Sequence, residues 1–188
     1  VLTGLRFNYD SKEVYFDRKT YGGLQTTDPA LIALKKQVYT DQNFHAKTEN
    51  SNLSGQLTFS YKPIRQLAAY ATFSTAYKPV GLNLGGLPTE SGRVMTELAV
   101  VKPEFVRHAE IGLKTSPTKY ITVNFTAYHT EIKDYQTQVQ TAEVGVNRGY
   151  LANAEKVRVR GLELDGNVRF NEFISIYANV AYTEGKYV

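Results

Sequence analysis

The side chains able to do chemistry are scattered through this sequence, and their spacing argues against an active site. His45, His108 and His129 are the only histidines. They fall on separate segments, without the close spacing that gathers ligands around a metal. Glu131 with Asp134, and Glu163 with Asp165, are carboxylate pairs of the kind acid-base hydrolysis uses, but no nucleophile, base and orienting group accompanies either. The run Gly81-Leu82-Asn83-Leu84-Gly85-Gly86 lacks a following Gly-Lys-Ser/Thr and opens no helix, so it is expected to be an extended loop and not a phosphate cradle. Cysteine is absent, which removes disulfides and thiolate sites and is compatible with an envelope protein. The expectation is a protein that is not an enzyme, with no cofactor and no protein-ligated metal.

The net charge of +4 and a pI near 9.1 raise the question of nucleic acid. The basic residues are dispersed, however, and the one tight group, Lys156, Arg158 and Arg160, has no basic helix or stacking motif beside it. No nucleic-acid partner is expected, and a solvated polar face accounts for the charge. Tyr (14) and Phe (9) far outnumber Met (1) and Trp (0), and Thr and Val are abundant, so aromatic and β-branched residues dominate the apolar set as they do in strands.

The elements that carry these residues alternate with period two. Ala109, Ile111 and Leu113 form one row and His108, Glu110, Gly112 and Lys114 the other. After a turn at 116–120 the pattern restarts, with Ile121, Val123, Phe125 and Ala127 opposed to Thr122, Asn124, Thr126 and Tyr128. A first strand covers about Val1 to Phe16, with Leu5, Phe7 and Tyr9 on one face. A second, Leu53 to Tyr61, sets Leu53, Gly55, Leu57, Phe59 and Tyr61 against Ser54, Gln56, Thr58 and Ser60. A third covers Leu67 to Lys78. A sixth runs from Leu151 to Arg169, and a seventh carries Ile174, Ile176, Ala178, Val180 and Tyr182 on one face. In the sixth, Val157 and Val159 are odd while Leu162, Leu164 and Val168 are even, which predicts a β-bulge at Arg160 and Gly161.

Short turns at 62–66, 116–120 and 171–172 alternate with long polar connections at 19–52, 79–102 and 137–150, the first holding a short helical turn at 29–37. Tight turns on one side and large loops on the other are the grammar of outer-membrane barrels. The expected fold is all-β, an antiparallel up-and-down transmembrane β-barrel of which residues 1–188 form an incomplete internal portion of about seven strands. An odd strand count leaves edges that something else must satisfy. No apolar run approaches the ~20 residues a membrane-spanning helix requires. A mean hydropathy of −0.35 is no objection, because only alternate strand residues meet lipid.

Several runs carry a family likeness. Tyr70-Ala71-Thr72-Phe73-Ser74-Thr75-Ala76-Tyr77-Lys78-Pro79, Pro103-Glu104, Ala109-Glu110-Ile111-Gly112-Leu113-Lys114, Asp134-Tyr135-Gln136 and Asn153-Ala154 through Gly161-Leu162-Glu163 together resemble, in order and spacing, consecutive strands of TonB-dependent outer-membrane receptors. The resemblance implies a 22-stranded barrel with a plug in its lumen, located in the outer membrane of a Gram-negative bacterium. Such receptors import a scarce nutrient, commonly a ferric siderophore, haem, cobalamin or an oligosaccharide. The implied partners are outer-membrane lipid, TonB and its inner-membrane motor acting through the plug, a small-molecule or glycan ligand, and an outer-surface lipoprotein. The plug and the remaining strands are not recognisable in these residues.

Within this frame Glu110, Lys114, Arg158 and Glu163 are expected to face the lumen, where they hydrate it or hold the plug. Tyr21, His45, Tyr77, Asn83 and Tyr150 are the ligand candidates, on loops carried by a rigid scaffold. Two other classes stay open: a passive porin or adhesin barrel, and a soluble β-sandwich carbohydrate-binding module whose apolar rows face each other. The sandwich requires Ile111, Val123 and Ile176 to pack beneath a second layer.

Overall fold

A computed structural model of the chain describes all residues except 24, 39–40, 91–92 and 141–148, with backbone alone for 37 and 38. Seven long strands form one antiparallel sheet in sequence order. They are β1 (Leu2–Arg18), β2 (Gln42–Ile64), β3 (Leu67–Lys78), β4 (Glu104–Thr118), β5 (Ile121–Gln140), β6 (Gly149–Arg169) and β7 (Ser175–Tyr187). Strands β1 and β7 each have one neighbour, so the sheet is open. The turn expected at 62–66 tightens to Arg65-Gln66, and that at 116–120 to Lys119-Tyr120. Beside each turn the ladder slips, between Tyr61 and Ile64 and between Thr115 and Thr118. Pro63 and Pro117 sit there, and proline has no N–H to give to a ladder. At the third turn Asn171 Oδ1 accepts the backbone N–H groups of Phe173 and Ile174.

Three expectations are corrected. Strand β2 begins at Gln42 and not at Leu53, because the stretch expected to be loop pairs residue for residue with β1 from Gln42–Arg18 onward. Strands β5 and β6 likewise extend into the expected 137–150 connection, the centre of which lies outside the described residues. No bulge interrupts β6 at Arg160 and Gly161. The register runs unbroken from Val157–Tyr187 to Arg169–Ser175 on one side and from Lys156–Lys133 to Val168–Ile121 on the other. The apparent change of phase has another cause: the outward face changes from apolar to charged along its length, while Val157 and Val159 stay on the inward face.

Directly opposed residues of an antiparallel pair share a face, so the register assigns every side chain. The outward face carries Leu5, Phe7, Leu53, Leu57, Phe59, Phe73, Ile111, Leu113, Phe125, Leu162, Leu164, Ile176 and Val180. These stand in solvent, Leu5 at 83%, Ile111 at 59% and Ile176 at 55% exposure. No second layer covers them among the described residues, which removes the sandwich. The apolar row of β2, Leu53 to Tyr61, matches the roughly 9–11 residues a tilted strand needs to cross a bilayer. The strand itself is 23 residues long and continues far past that band.

The small core lies elsewhere, at the end of the sheet bearing the long connections. Phe44, Leu87 and Ala99 are buried together, packed by Val14, Phe16, Ala46, Val94 and Leu98. The connection from β3 to β4 thus folds back over the inward face of β1 and β2. It is pinned by short pairings of Gly81–Leu82 with Val100–Val101 and of Thr89–Glu90 with Arg93–Val94. Between β1 and β2 stands helix α1, Pro29–Val38. Asp28 caps it by accepting the N–H of Ala30 at 2.8 Å, Pro29 occupies the first turn, and Lys35 and Lys36 lie in the last, the arrangement favoured by unpaired amides and the helix dipole.

Candidate functional site

The inward face is built from hydroxyl, amide and carboxylate groups that satisfy one another across strands. Tyr70 Oη donates to Glu110 at 2.7 Å. The hydroxyls of Thr58 and Thr72 meet at 2.9 Å, Asn124 donates to Asp165 at 2.9 Å, and His108 Nδ1 meets Thr130 at 2.8 Å. Lys114 lies over the Tyr70 ring, 5.6 Å from its centre, within cation-π range. Glu163 shares this face, opposite Thr126, and is exposed. Two glycines give rings their place here. A Cβ at Gly112 would strike the ring of Tyr70, and one at Gly161 the ring of Tyr128, so each tyrosine lies across its neighbour's glycine.

Above this wall a set of buried and half-buried side chains fastens the β3–β4 connection to distant strands. Gln42, 1% exposed, donates through Nε2 to the carbonyl of Leu87 at 2.7 Å and accepts the Leu87 N–H at 2.8 Å. Asn83 accepts the N–H of Leu151 and donates to the carbonyls of Leu98 and Leu151. Gln136 donates to the carbonyls of Pro79 and Lys102, and its own N–H is accepted by Glu104. Glu104 also receives Lys78 at 2.8 Å. Asn153 binds both backbone groups of Lys102 and the carbonyl of Asp134, and Asp134 has the positive φ of 54° that aspartate tolerates better than most residues. Lys12 reaches over from β1 to the carbonyl of Val80.

The residues singled out from sequence divide accordingly. Glu110, Lys114 and Glu163 face inward and lie close along the wall. Arg158 does not join them. It is opposite Glu131 and Lys186, on the same face as Leu162 and Leu164 and therefore outward, since unbroken register fixes its parity. His45 is also outward, stacked on Tyr15 with ring centres 4.3 Å apart and bonded to Glu13 at 2.8 Å. That bond and one from Tyr15, both beyond the apolar band, hold the Glu13 carboxyl below the ordinary glutamate value. Tyr77 packs on Phe105 at 5.7 Å. Asn83 is buried with both ends of its amide committed to the backbone. Tyr21 is almost fully exposed after β1, and Tyr150 lies opposite Val139 near the start of β6. The five ligand candidates do not converge.

Sequence reasoning assigned no role to Gln42, Gln136 or Asn153. Gln136 and Asn153 lie within the runs that carried the family likeness, and their spacing from Glu104 was the available signal. Gln42 gave none.

The profile described as "TonB dependent receptor-like, beta-barrel" matches residues 1–188. The probable TonB-dependent siderophore receptor PiuA of Acinetobacter baumannii is 24% identical over 145 residues, which is 76% of this chain and 18% of that protein. The ferric yersiniabactin uptake receptor FyuA of Yersinia pestis superposes with a TM-score of 0.65 at 22% identity, over 98% of this chain and 24% of its own. The copper transporter OprC superposes with a TM-score of 0.75 at 16% identity, over 98% and 26%. The chain thus spans under a fifth of the curated relative and about a quarter of the solved ones.

Proposed function

The chain belongs to the TonB-dependent receptor-like β-barrel family, and on that premise we propose that it forms part of the wall of a Gram-negative outer-membrane receptor. The receptor imports a ferric siderophore or similar iron complex, with energy from TonB and the inner-membrane motor transmitted through a plug. The observation that carries the reading is the pairing of an uncovered apolar band with a hydrogen-bonded polar wall on alternate residues of the same strands. Lipid satisfies the first and a wet, plugged lumen the second. The likeness to a probable siderophore receptor supports the substrate class.

In this reading Glu110, Lys114 and Glu163 contact the plug. Tyr21 and Tyr150, at the end with the long connections, are the two ligand candidates whose side chains are least committed. Asn83 and Gln136 hold the β3–β4 connection in place for a ligand or an outer-surface lipoprotein.

The test is uptake of radiolabelled iron, presented as ferric siderophores, by cells carrying or lacking the full-length gene, with and without a proton-gradient uncoupler. Uptake that requires both the gene and the gradient is the expected result. Gene-dependent uptake that survives the uncoupler is the behaviour of a passive porin and would replace this reading.

A further inference from the structure

The three turns that close the hairpins at the other end of the sheet differ in charge. The first, between β2 and β3, carries Lys62 and Arg65, and the second, between β4 and β5, carries Lys119. No acidic residue lies within 61–66 or 116–120. These three cations make no ion pair among the described residues, and Lys119 leans over the ring of Tyr120, 4.9 Å from its centre. The third turn, between β6 and β7, reverses the balance. Glu172 stands in it between Phe170 and Phe173, and the nearest cation, Arg169, is opposite Ser175 on the inward parity.

The first two turns are tied side by side. The Ser116 N–H donates to the carbonyl of Gln66 at 2.8 Å, and β3 pairs with β4 from Leu67–Thr115 onward, so the two tips stand about two strand spacings, roughly 10 Å, apart. The apolar band ends just beneath them. Tyr61 shares the outward parity of Phe59, and Ile64 regains it after the ladder slips, opposite Leu67; both are exposed, as is Tyr120 in the second turn. An aromatic and aliphatic edge set under unpaired lysine and arginine donors matches a molecule with acyl chains and a phosphate headgroup. The absence of any carboxylate from the two turns selects a headgroup of net negative charge, because a zwitterionic one brings an ammonium that the three cations repel.

We propose that the first two turns bind the headgroup of an anionic glycerophospholipid in the membrane leaflet at the short-turn end of the wall. The proposal rests on the outer-membrane reading, which puts that end on the periplasmic side. The phosphate lies between Arg65 and Lys119 with Lys62 beside it, and the acyl chains lie along Tyr61 and Ile64. The third turn, with Glu172 in it, has no such site.

The test uses the full-length receptor reconstituted in vesicles of phosphatidylcholine and phosphatidylglycerol with identical acyl chains, with bound lipid counted by native mass spectrometry after extraction. Wild-type protein is expected to retain phosphatidylglycerol in preference to phosphatidylcholine, a comparison that needs no variant to fold. Each cation removed should weaken that retention about fivefold, and the triple variant Lys62→Gln, Arg65→Gln, Lys119→Gln on the order of a hundredfold. Removing Arg107 and Arg158, at the far end of the strands, should change nothing. Equal retention of the two lipids by wild-type protein, or of phosphatidylglycerol by the triple variant, overturns the site and leaves the receptor reading intact. So does displacement by millimolar glycerol 3-phosphate, which marks a site for a free anion. Failure of the wild-type protein to enter the vesicles at all removes both.

Discussion

Ile111 and Gly112 are adjacent on β4, yet they belong to regions that are satisfied in opposite ways. Gly112 lies on the inward face, beneath a tyrosine from β3 whose hydroxyl is bonded to Glu110. Ile111 lies on the outward face among Phe73, Leu113 and Phe125, 59% exposed, and no second layer covers it among the described residues. Much of the inward wall is bonded through its own cross-strand pairs, whereas the outward band needs an apolar environment from elsewhere. An isolated apolar residue at the surface requires no explanation, but a continuous band across seven strands does.

Breaking the contrast at its strongest point gives the largest effect. Ile111→Arg places a cation in the middle of the band and should destabilise the lipid-embedded protein by about 2–4 kcal/mol, measured by urea unfolding in vesicles. The inward substitution Glu163→Gln should stay within about 0.5 kcal/mol. Equal costs would mean that the two faces do not meet different surroundings. Gly161→Val tests the inward packing and should cost about 1–3 kcal/mol through overpacking against Tyr128. The companion change Tyr128→Ala should absorb most of that cost in a double-mutant cycle; a fully additive pair would show that the ring does not need the glycine. A smaller cost than that of Gly161→Val is expected for Tyr70→Phe, which removes the donor to Glu110 and keeps the ring over Gly112, for about 0.5–1.5 kcal/mol. A cost as large as that of Gly161→Val would transfer the weight from ring packing to the hydrogen bond.

The faces were legible in sequence wherever one environment persisted along a strand, as at Leu53–Tyr61 and Ala109–Leu113. They were misread where a strand leaves the band. In β6 the outward row passes from Leu164 and Leu162 to Arg160 and Arg158 without any change in backbone, and a rule that equates apolar with outward invents a bulge there and turns Arg158 inward. The upper half of β2 was taken for loop for a related reason: its outward side carries Asn43, His45 and Lys47, and on the inward side the apolar Phe44 and Ala46 give way at once to Thr48 and Asn50, a row too short to betray a strand. The fastening residues were hidden for a different reason. An amide such as Asn83 acquires its role from Leu151, 68 positions away in sequence, and nothing local to either residue marks the pair.

The segment between β3 and β4 touches β1 through Lys12, β2 through Gln42 and β6 through Asn83 and Asn153, although its own strands are neighbours in the middle of the sheet. It therefore acts as a bowstring drawn across the arc, fixing how far the rim of the wall can open. Cutting that string would loosen both flanks of the wall together, whereas opening one turn would loosen only the two strands it joins.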